Sequence, residues 1–555
     1  AMRENLRFTA QFSLTKGMSS GETFKSMNHT DFEKNGTPLL ERGTYNKSTG
    51  NTMNWSTNAS INYNLTKDKH LLSMFARWEI AQNKSEGIFL EAKGFPNDNM
   101  TDFMFAQEIK KNNVNSNENT TRSMGLTATV SYMYDFRYSL DFNIRGDISS
   151  QFGADTKMKP FWSVGARWNA SREKWLEGSF VSNLVLRASY GITGSQNYDP
   201  YQAVEGYSFE DLMFQYLSSG VIGAELKGFG NPDLDWSTTE DFSAAIELGF
   251  FQDRLTASVN YYNHYTDQLL LDNNIAPSTG FPTLMTNIGA ISNKGVDVTL
   301  GFTPIQDYER QIQWNVSING NHNQNKVKKL SNQIKKQNEK NLNDKTKPLP
   351  IYEEGKSTTQ LFAVRSLGID PATGNEIYLK RNGERTFFWE ATDKVAVGDT
   401  QPKFRGGITS GLTWKDWSVN LGFTYELGAY TYNQTLVDRI ENVNLAYNAD
   451  RRAAKDRWRK PGDMAKYRAI TYDGRTTEVS SRFVQKKNEI AFSSISVGYH
   501  FDPKKFGFLK QCKIAGINLT GSMQDLGRIS SVKQERGTDY PFARTVNLSM
   551  SVLFN

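Results

Sequence analysis

One cysteine, Cys512, occurs in 555 residues. A lone thiol excludes an internal disulfide framework and a cysteine-built metal site. Prolines number only 15, and most stand outside the patterned stretches described below. The five histidines, His29, His70, His264, His322 and His500, are scattered and show no H-x-x-x-H spacing, so no zinc-enzyme signature is present. No apolar run approaches the ~18 residues of a membrane helix, and mean hydropathy is −0.59. That average does not exclude a transmembrane β-barrel, because only every second strand residue meets lipid. Charge is nearly balanced, 65 basic against 59 acidic residues, and leaves no nucleic-acid footprint. The start, Ala1-Met2-Arg3-Glu4-Asn5, lacks the pattern of a signal peptide, so the expectation is a removed leader or a start inside a longer protein.

What is abundant is alternation. From Asp416 to Glu426, Trp417, Val419, Leu421, Phe423 and Tyr425 are large and apolar, and the residues between them are polar or small. A strand sends successive side chains to opposite faces, so this is a ribbon with one oily side and one wet side. The pattern recurs at Leu6–Leu14, Trp55–Leu65, Leu72–Ile80, Met124–Tyr134, Tyr138–Arg145, Trp162–Trp168, Leu184–Ile192 and Phe242–Phe250. It continues at Leu255–Tyr261, Val296–Phe302, Trp314–Ile318, Phe404–Trp414, Trp417–Tyr425, Ile495–Phe501, Ala515–Met523 and Phe542–Phe554. About sixteen strands result, many near the ~9–11 residues that span a bilayer. Aromatics are 12% of the chain, which suits strands and membrane boundaries.

Connections alternate in length. Short ones fall at Lys67–Lys69, Asp135–Arg137, Gln252–Arg254 and Lys415–Asp416. Long ones fall at Asn83–Thr120, Gly194–Asp235, Leu271–Asn293, Lys329–Gln401 and Gly428–Gln485. The expected fold is all-β: a transmembrane antiparallel β-barrel with short periplasmic turns and long extracellular loops. A sandwich has no reason to gather its long loops at one end, and no blade-length repeat suggests a propeller. Polar rows holding Asp141, Asn143, Arg145, Asn420 and Thr424 are expected to face the lumen. Apolar rows are expected to face lipid, with Trp78, Trp162, Trp168, Trp314, Trp414 and Trp417 in the aromatic girdles. Tyr198, Tyr201 and Trp389 are loop aromatics suited to stacking on a substrate or to packing loop on loop.

Other patterns carry less. Gly17-Met18-Ser19-Ser20-Gly21 fits G-x-S-x-G, but that nucleophile motif needs a helix after it, and Glu22–Asp31 has no helical face; it reads as a Gly/Ser loop. Asp233/Asp235 and Glu353/Glu354 suit Ca²⁺ in type, but solvated loop carboxylates are the stronger reading. The lysine-rich stretch Lys326–Lys347 suits a solvated loop, acidic lipopolysaccharide or another anion. No catalytic, cofactor or metal residue is assigned.

Several stretches, in shared order, resemble the SusC/RagA group of TonB-dependent outer-membrane transporters. They are Leu186–Asn197; Asn231-Pro232-Asp233-Leu234-Asp235-Trp236 with Glu240; Arg254-Leu255 to Tyr261-Tyr262; and Thr286-Asn287-Ile288-Gly289 with Asn293-Lys294-Gly295. Further on come Gly368-Ile369-Asp370-Pro371-Ala372-Thr373-Gly374, Gly398-Asp399 with Pro402-Lys403-Phe404, and Arg457-Trp458 with Pro461-Gly462-Asp463. The resemblance covers roughly Leu184 to Asn555; residues 1–180 match by barrel pattern alone. It implies that residues 1–555 are the C-terminal barrel portion of a 22-stranded barrel, with no plug domain in this chain. It implies four partners: a SusD-like surface lipoprotein, the remaining N-terminal barrel and plug portion, TonB acting through the plug, and outer-membrane lipid. The location it implies is the outer membrane of a Gram-negative, Bacteroidetes-like bacterium. The implied function is energy-coupled import of an oligosaccharide or peptide, without covalent chemistry. A passive porin and a structural or adhesive surface protein are the competing readings.

Overall fold

Side-chain alternation becomes a ladder of consecutive hairpins. The computed structural model describes residues 5–109, 114–152, 158–195, 200–210, 223–444, 450–470, 476–533 and 544–554. Its main sheet has 17 strands, one of them the two-residue Glu108–Ile109. The other sixteen are β1 (Leu6–Lys25), β2 (Thr44–Lys67), β3 (His70–Lys93), β4 (Asn115–Tyr134), β5 (Tyr138–Ser149), β6 (Lys159–Asn169), β7 (Val181–Ser195) and β8 (Ser237–Phe250). They continue with β9 (Leu255–Asn274), β10 (Thr283–Asp307), β11 (Ile312–Lys329), β12 (Phe404–Trp414), β13 (Trp417–Tyr432), β14 (Val484–Phe501), β15 (Ile514–Ser530) and β16 (Val546–Phe554). Each of these pairs antiparallel with the next in sequence. Among the described residues, β1 and β16 are each paired on one side only.

Fifteen of the sixteen alternating rows lie within these strands; of the last, Phe542–Phe554, the part from Val546 does, and Phe542 and Ala543 lie outside the described residues. The strands run further than the rows do. β2 and β3 have 24 residues each, about 80 Å at the usual rise, far beyond the ~9–11 residues a bilayer needs. Three sequence expectations change accordingly. Much of Asn83–Thr120 is strand, in the upper parts of β3 and β4, most of Leu271–Asn293 is strand in β9 and β10, and Gly17–Gly21 lies inside β1 rather than in a loop. The reason is physical: a strand longer than a bilayer needs has a stretch with no lipid-facing side, so nothing imposes the apolar half of the pattern there.

The two faces of the sheet differ. Phe8, Phe12, Leu126, Leu140, Phe142, Leu300 and Ile318 are large, apolar and exposed on one face. Trp168, Trp314, Trp414 and Trp417 stand on that face at the short-turn ends, between 37% and 51% exposed. Trp314 Nε1 donates to Ser410 Oγ at 2.9 Å, and Trp168 Nε1 to Glu173 Oε1 at 3.3 Å. An indole with one apolar side and one bonded N–H suits a membrane–water boundary. The tight turns place Asp68, Asp135 and Lys415 in the left-handed region, whose twist matches that of the flanking strands.

The connections β11–β12 and β13–β14 build a separate packed module at the long-loop end. It holds the helix Asn332–Asn343, N-capped by Ser331, and a four-stranded sheet of Gln360–Ile369, Glu376–Leu379, Arg385–Thr386 and Lys394–Asp399. Asn338 clamps the helix to the chain by exchanging two hydrogen bonds with the Tyr352 backbone, at 2.6 and 2.9 Å. Phe362, Val364, Tyr378, Ile440, Val479 and Phe483 are among its buried apolar residues.

Candidate functional site

The polar face of the sheet carries the first half of the site. Register sets Asn260 opposite Asp297, Asp297 opposite Asn321, Asn321 opposite Arg405, Arg405 opposite Glu426, and Glu426 opposite Glu489. Residues paired across an antiparallel ladder share a face, so six neighbouring strands contribute one continuous polar row. Amides link it: Asn321 Nδ2 donates to Asp297 Oδ1 at 2.6 Å and to the Tyr262 hydroxyl at 3.1 Å. That hydroxyl donates to Asn323 Oδ1 at 3.1 Å, and the Tyr262 ring stacks on His264 with centroids 4.8 Å apart. His264 Nδ1 lies 2.5 Å from Asp241 Oδ1. Lys487 holds Glu426 at 2.7 Å, whereas Arg405 has no carboxylate partner among the described residues. Two cavities of about 560 and 550 Å³ open on this row, and Asp297, Asn321 and Arg405 line both.

The sequence-predicted polar residues fall on two parts of that face. Thr424 lines the larger cavity. Asn420 lies two same-face steps along β13, beyond Gly422, exposed, opposite Gly411 and Ser496. Asp141, Asn143 and Arg145 share the polar face of β5. There Asn143 accepts from Thr129 at 2.8 Å and donates to Ser163 at 3.3 Å. Arg145 bridges Glu79 at 2.6 Å and Asp147 at 2.7 Å. Of the loop aromatics, Tyr198 lies outside the described residues. Tyr201 is half-exposed, and its hydroxyl accepts from the Thr120 backbone at 2.9 Å. Trp389 sits in the packed module, where Nε1 donates to Val479 O at 3.0 Å. Tyr201 and Trp389 share no cluster.

The module at the long-loop end carries a buried charge network that sequence inspection missed. Glu441, with a fully buried side chain, accepts from Arg482 at 2.8 Å and from Arg468 at 3.0 Å. Arg482 also holds Glu376 at 2.8 Å. Burial pushes the Glu441 carboxyl up, but the hydrogen bond and charge of Arg482, with Arg468 behind it, outweigh burial and hold it below the usual range. Arg457 donates to the backbone carbonyls of Ile440, Glu441, Ala453 and Arg468, capping the π-turn Leu436–Glu441.

Lys394 is almost fully buried and donates to Asn341 O at 3.3 Å and Asp344 O at 2.8 Å, at the C-terminal end of the helix. Burial lowers its pKa to about 8. A lysine lowered in the folded state costs stability while charged, so stability is expected to rise with pH above 8 until the unfolded pKa near 10.5. Hydrogen exchange of Asn332–Asn343, corrected for the intrinsic rate, should show local opening about 1 kcal/mol harder at pH 9 than at pH 7. Lys394→Met should abolish that dependence.

A family model described as TonB dependent receptor-like, beta-barrel matches residues 3–459. The chain belongs to that family. It is 26% identical over 516 residues to TonB-dependent receptor P39 of Formosa agariphila, covering 82% of this chain and 48% of that protein. It is 25% identical over 437 residues to TonB-dependent receptor SusC of Bacteroides thetaiotaomicron, covering 75% of this chain and 42% of that one. The chain thus spans about half the length of the curated relatives it matches. Its fold superposes with a TM-score of 0.84 on a chain of the RagAB peptide importer in the open-open state, at 20% identity, over 100% of this chain and 60% of that one. The all-β architecture is therefore that of a TonB-dependent receptor β-barrel.

The motifs that carried the resemblance work in this receptor barrel as mutual clasps. Asn287 of the Thr286–Gly289 stretch accepts from the Asp235 backbone at 3.0 Å and donates to Asp235 O at 2.7 Å. The neighbouring Trp236 is buried against Phe152 and Phe161. Asp370 accepts from Thr373 Oγ1 at 2.6 Å, closing the Gly368–Gly374 loop. Pro371 O of that loop accepts from Trp458 Nε1 at 2.9 Å and from the Gly462 backbone at 2.8 Å. Gly374 is in the left-handed region, and a Cβ there would meet the Trp458 ring at 2.6 Å. The Asp233/Asp235 pair is accounted for in part by Lys159, which holds Asp235 at 2.5 Å.

Proposed function

We propose that this chain is the barrel portion of a SusC-like, TonB-coupled importer in the bacterial outer membrane. One observation carries the reading: a chain of the TonB-dependent receptor family presents a continuous polar row on one sheet face and exposed apolar side chains on the other. On this reading Asp141, Asn143, Arg145, Asn420 and Thr424 face the lumen. The amide-rich wall around Asn260, Asn321 and Arg405 offers donors and acceptors suited to sugar hydroxyls or peptide backbone, and hence to an oligosaccharide or peptide. The unpaired edges of β1 and β16 suit completion of the wall by further strands, with a plug inside that TonB engages. The packed module at the long-loop end is a surface for a SusD-like lipoprotein.

The test is uptake by the intact transporter in its native host, with and without TonB. Import is expected to fall to background without TonB. Import that persists undiminished would overturn the energy-coupled reading and favour a passive pore.

A further inference from the structure

The long strands β1 to β4 sort their charges by face. Register carries the polar face of β5 across them, from Arg145 through Thr127, Arg77 and Ser60 to Thr9. Towards the long-loop end that face reads Thr15, Gly17, Ser19, Gly21 and Thr23 on β1. On β2 it reads Asn46, Ser48, Gly50, Thr52 and Asn54. Asn83, Ser85, Gly87 and Phe89 continue it on β3, and Asn115, Asn117, Asn119 and Thr121 on β4. None of these is charged. The opposite face of the same stretch carries Lys16 and Glu22 on β1, Lys47 on β2, Lys84 and Glu86 on β3, and Glu118 and Arg122 on β4.

Contact with lipid does not explain the difference. Asn54 lies thirteen residues from Lys67, at the short-turn end of β2. Thirteen residues are about 40 Å of strand, or about 30 Å of height at a ~40° tilt. The lipid-facing band of a barrel is ~25 Å tall, so on the barrel reading water reaches both faces of this stretch. Water accepts charge on either face. The exclusion of charge from one of them therefore reflects what that face meets.

The uncharged face also keeps its polar groups free. Ser19, Ser48, Thr52, Asn54 and Asn117 are solvent-exposed. Among the described residues its side chains in this stretch make only two hydrogen bonds, Ser19 to Gly50 O at 3.5 Å and Ser48 to Gly21 O at 3.4 Å, both long. On β5, by contrast, Asn143 and Arg145 are tied on both sides. Charge returns at the top of the face as Lys25, Glu91 and Lys93. Lys25 is held there by Asp31 at 3.1 Å, and Lys93 by Glu41 and Glu108 at 3.2 and 3.0 Å. Lower down it returns as Arg7 and as Arg77 paired with Glu79 at 2.9 Å.

We propose that this face is a track along which an uncharged, hydroxyl-rich cargo, a neutral oligosaccharide, slides towards the lumen. The proposal rests on the barrel reading above and narrows its cargo. A sugar chain offers a hydroxyl or a ring oxygen at every step and exchanges one serine or asparagine for the next. Each such bond is weak and replaceable by water, and passage needs many weak sites rather than one strong one. A fixed charge would hold a hydroxyl harder than its neighbours do and stall the chain. A peptide or an acidic sugar would bring charges that meet no complement on this face.

The cargo class is read in the native host, with and without the gene for the full-length transporter. Both strains are fed a mixture of neutral xylan, mannan and glucan oligosaccharides, polygalacturonate fragments and a casein digest, and depletion of the medium is followed by mass spectrometry. Only neutral oligosaccharides should disappear faster with the transporter. Transporter-dependent loss of the acidic fragments or of peptides would overturn the proposal and leave the importer reading standing. No transporter-dependent loss of any class would overturn both. Two threonines of β2 test the track itself: Thr52 lies on the uncharged face and Thr49 on the other, both exposed. At equal surface level, Thr52→Asp and Thr52→Lys should each slow import about tenfold, the margin between a hydrogen bond to a charge and one to a neutral group. Thr49→Asp and Thr49→Lys should import like the parent. Equal effects at the two positions, or none at Thr52, would overturn the proposal. If the Thr52 variants do not reach the surface, the comparison of cargo classes on the unaltered protein decides.

Discussion

Replacing Arg482 with alanine is expected to open the module at the long-loop end while the sixteen-strand sheet stays paired. Arg482 keeps 10% of its side chain exposed and bridges Glu376, 2% exposed, to Glu441, fully buried. Its guanidinium also lies 4.4 Å from the Phe483 ring centroid. Removing it strands Glu376 in the interior and leaves Glu441 to Arg468 alone, and breaking a buried pair in this way costs about 3–5 kcal/mol. Arg468 remains on Glu441 at 3.0 Å but does not reach Glu376. The pH dependence has a definite sign. Glu441 is held below its ordinary pKa in the folded module, so its contribution is present above the unfolded carboxylate pKa and is lost as pH falls through the folded value. In the variant, burial acts with less opposition and the folded pKa rises, so the deficit should narrow as the medium is acidified. Hydrogen exchange of Gln360–Ile369 and Leu436–Glu441 at neutral and acid pH reads both effects. Protection unchanged from the parent would mean that the network is not what holds the module together. Arg482→Lys should fall between, because a lysine keeps the charge but cannot fork to two carboxylates.

The same residues show where the sequence is legible. Lipid on one side and water on the other force a period of two, and the rows so marked, from Leu6–Leu14 to Ala515–Met523, each lie in a strand. The wall could therefore be read without a family name. Its upper extensions could not: Asn46–Asn54 and Asn83–Lys93 are strand, yet both faces meet water or protein and neither needs to be apolar. Glu376, Glu441 and Arg482 are 65 and 41 residues apart in sequence, joined only when the Glu376–Leu379 strand, the π-turn and the start of β14 pack together. No local spacing announces such a network. The family motifs were visible as strings, but their roles were not: Asn287 and Asp235, or Pro371 and Trp458, are clasps between distant loops. The polar row Asn260 to Glu489 was barely legible. The sequence marked only Glu426 of it, at the end of the alternation Asp416–Glu426, while the register aligning the row across six strands belongs to the fold.

The assignment of faces itself has a sharp test in two adjacent residues. Val130→Arg is expected to destabilise the barrel by about 2–4 kcal/mol in lipid, the cost of a cation near the bilayer midplane. Val130 is 38% exposed on the apolar face, opposite Met74 and Phe142. It lies four residues above Tyr134, close to mid-height of the band. Ser131→Arg should cost far less. Ser131 points to the other face, between Ser73 and Asp141, and a guanidinium there finds a carboxylate directly across the ladder. Hydrophobicity of the neighbourhood cannot produce this contrast, because the two positions share a strand, a depth and both neighbouring strands. Only the direction of the side chain differs. Denaturant titration of each variant folded into vesicles measures it. Equal losses would mean that both faces meet the same medium, and a reversed order would turn the barrel inside out. Asp141→Asn in the Ser131→Arg background should remove the compensation and bring the second loss closer to the first, which ties the polar residues of β5 to the water-filled side.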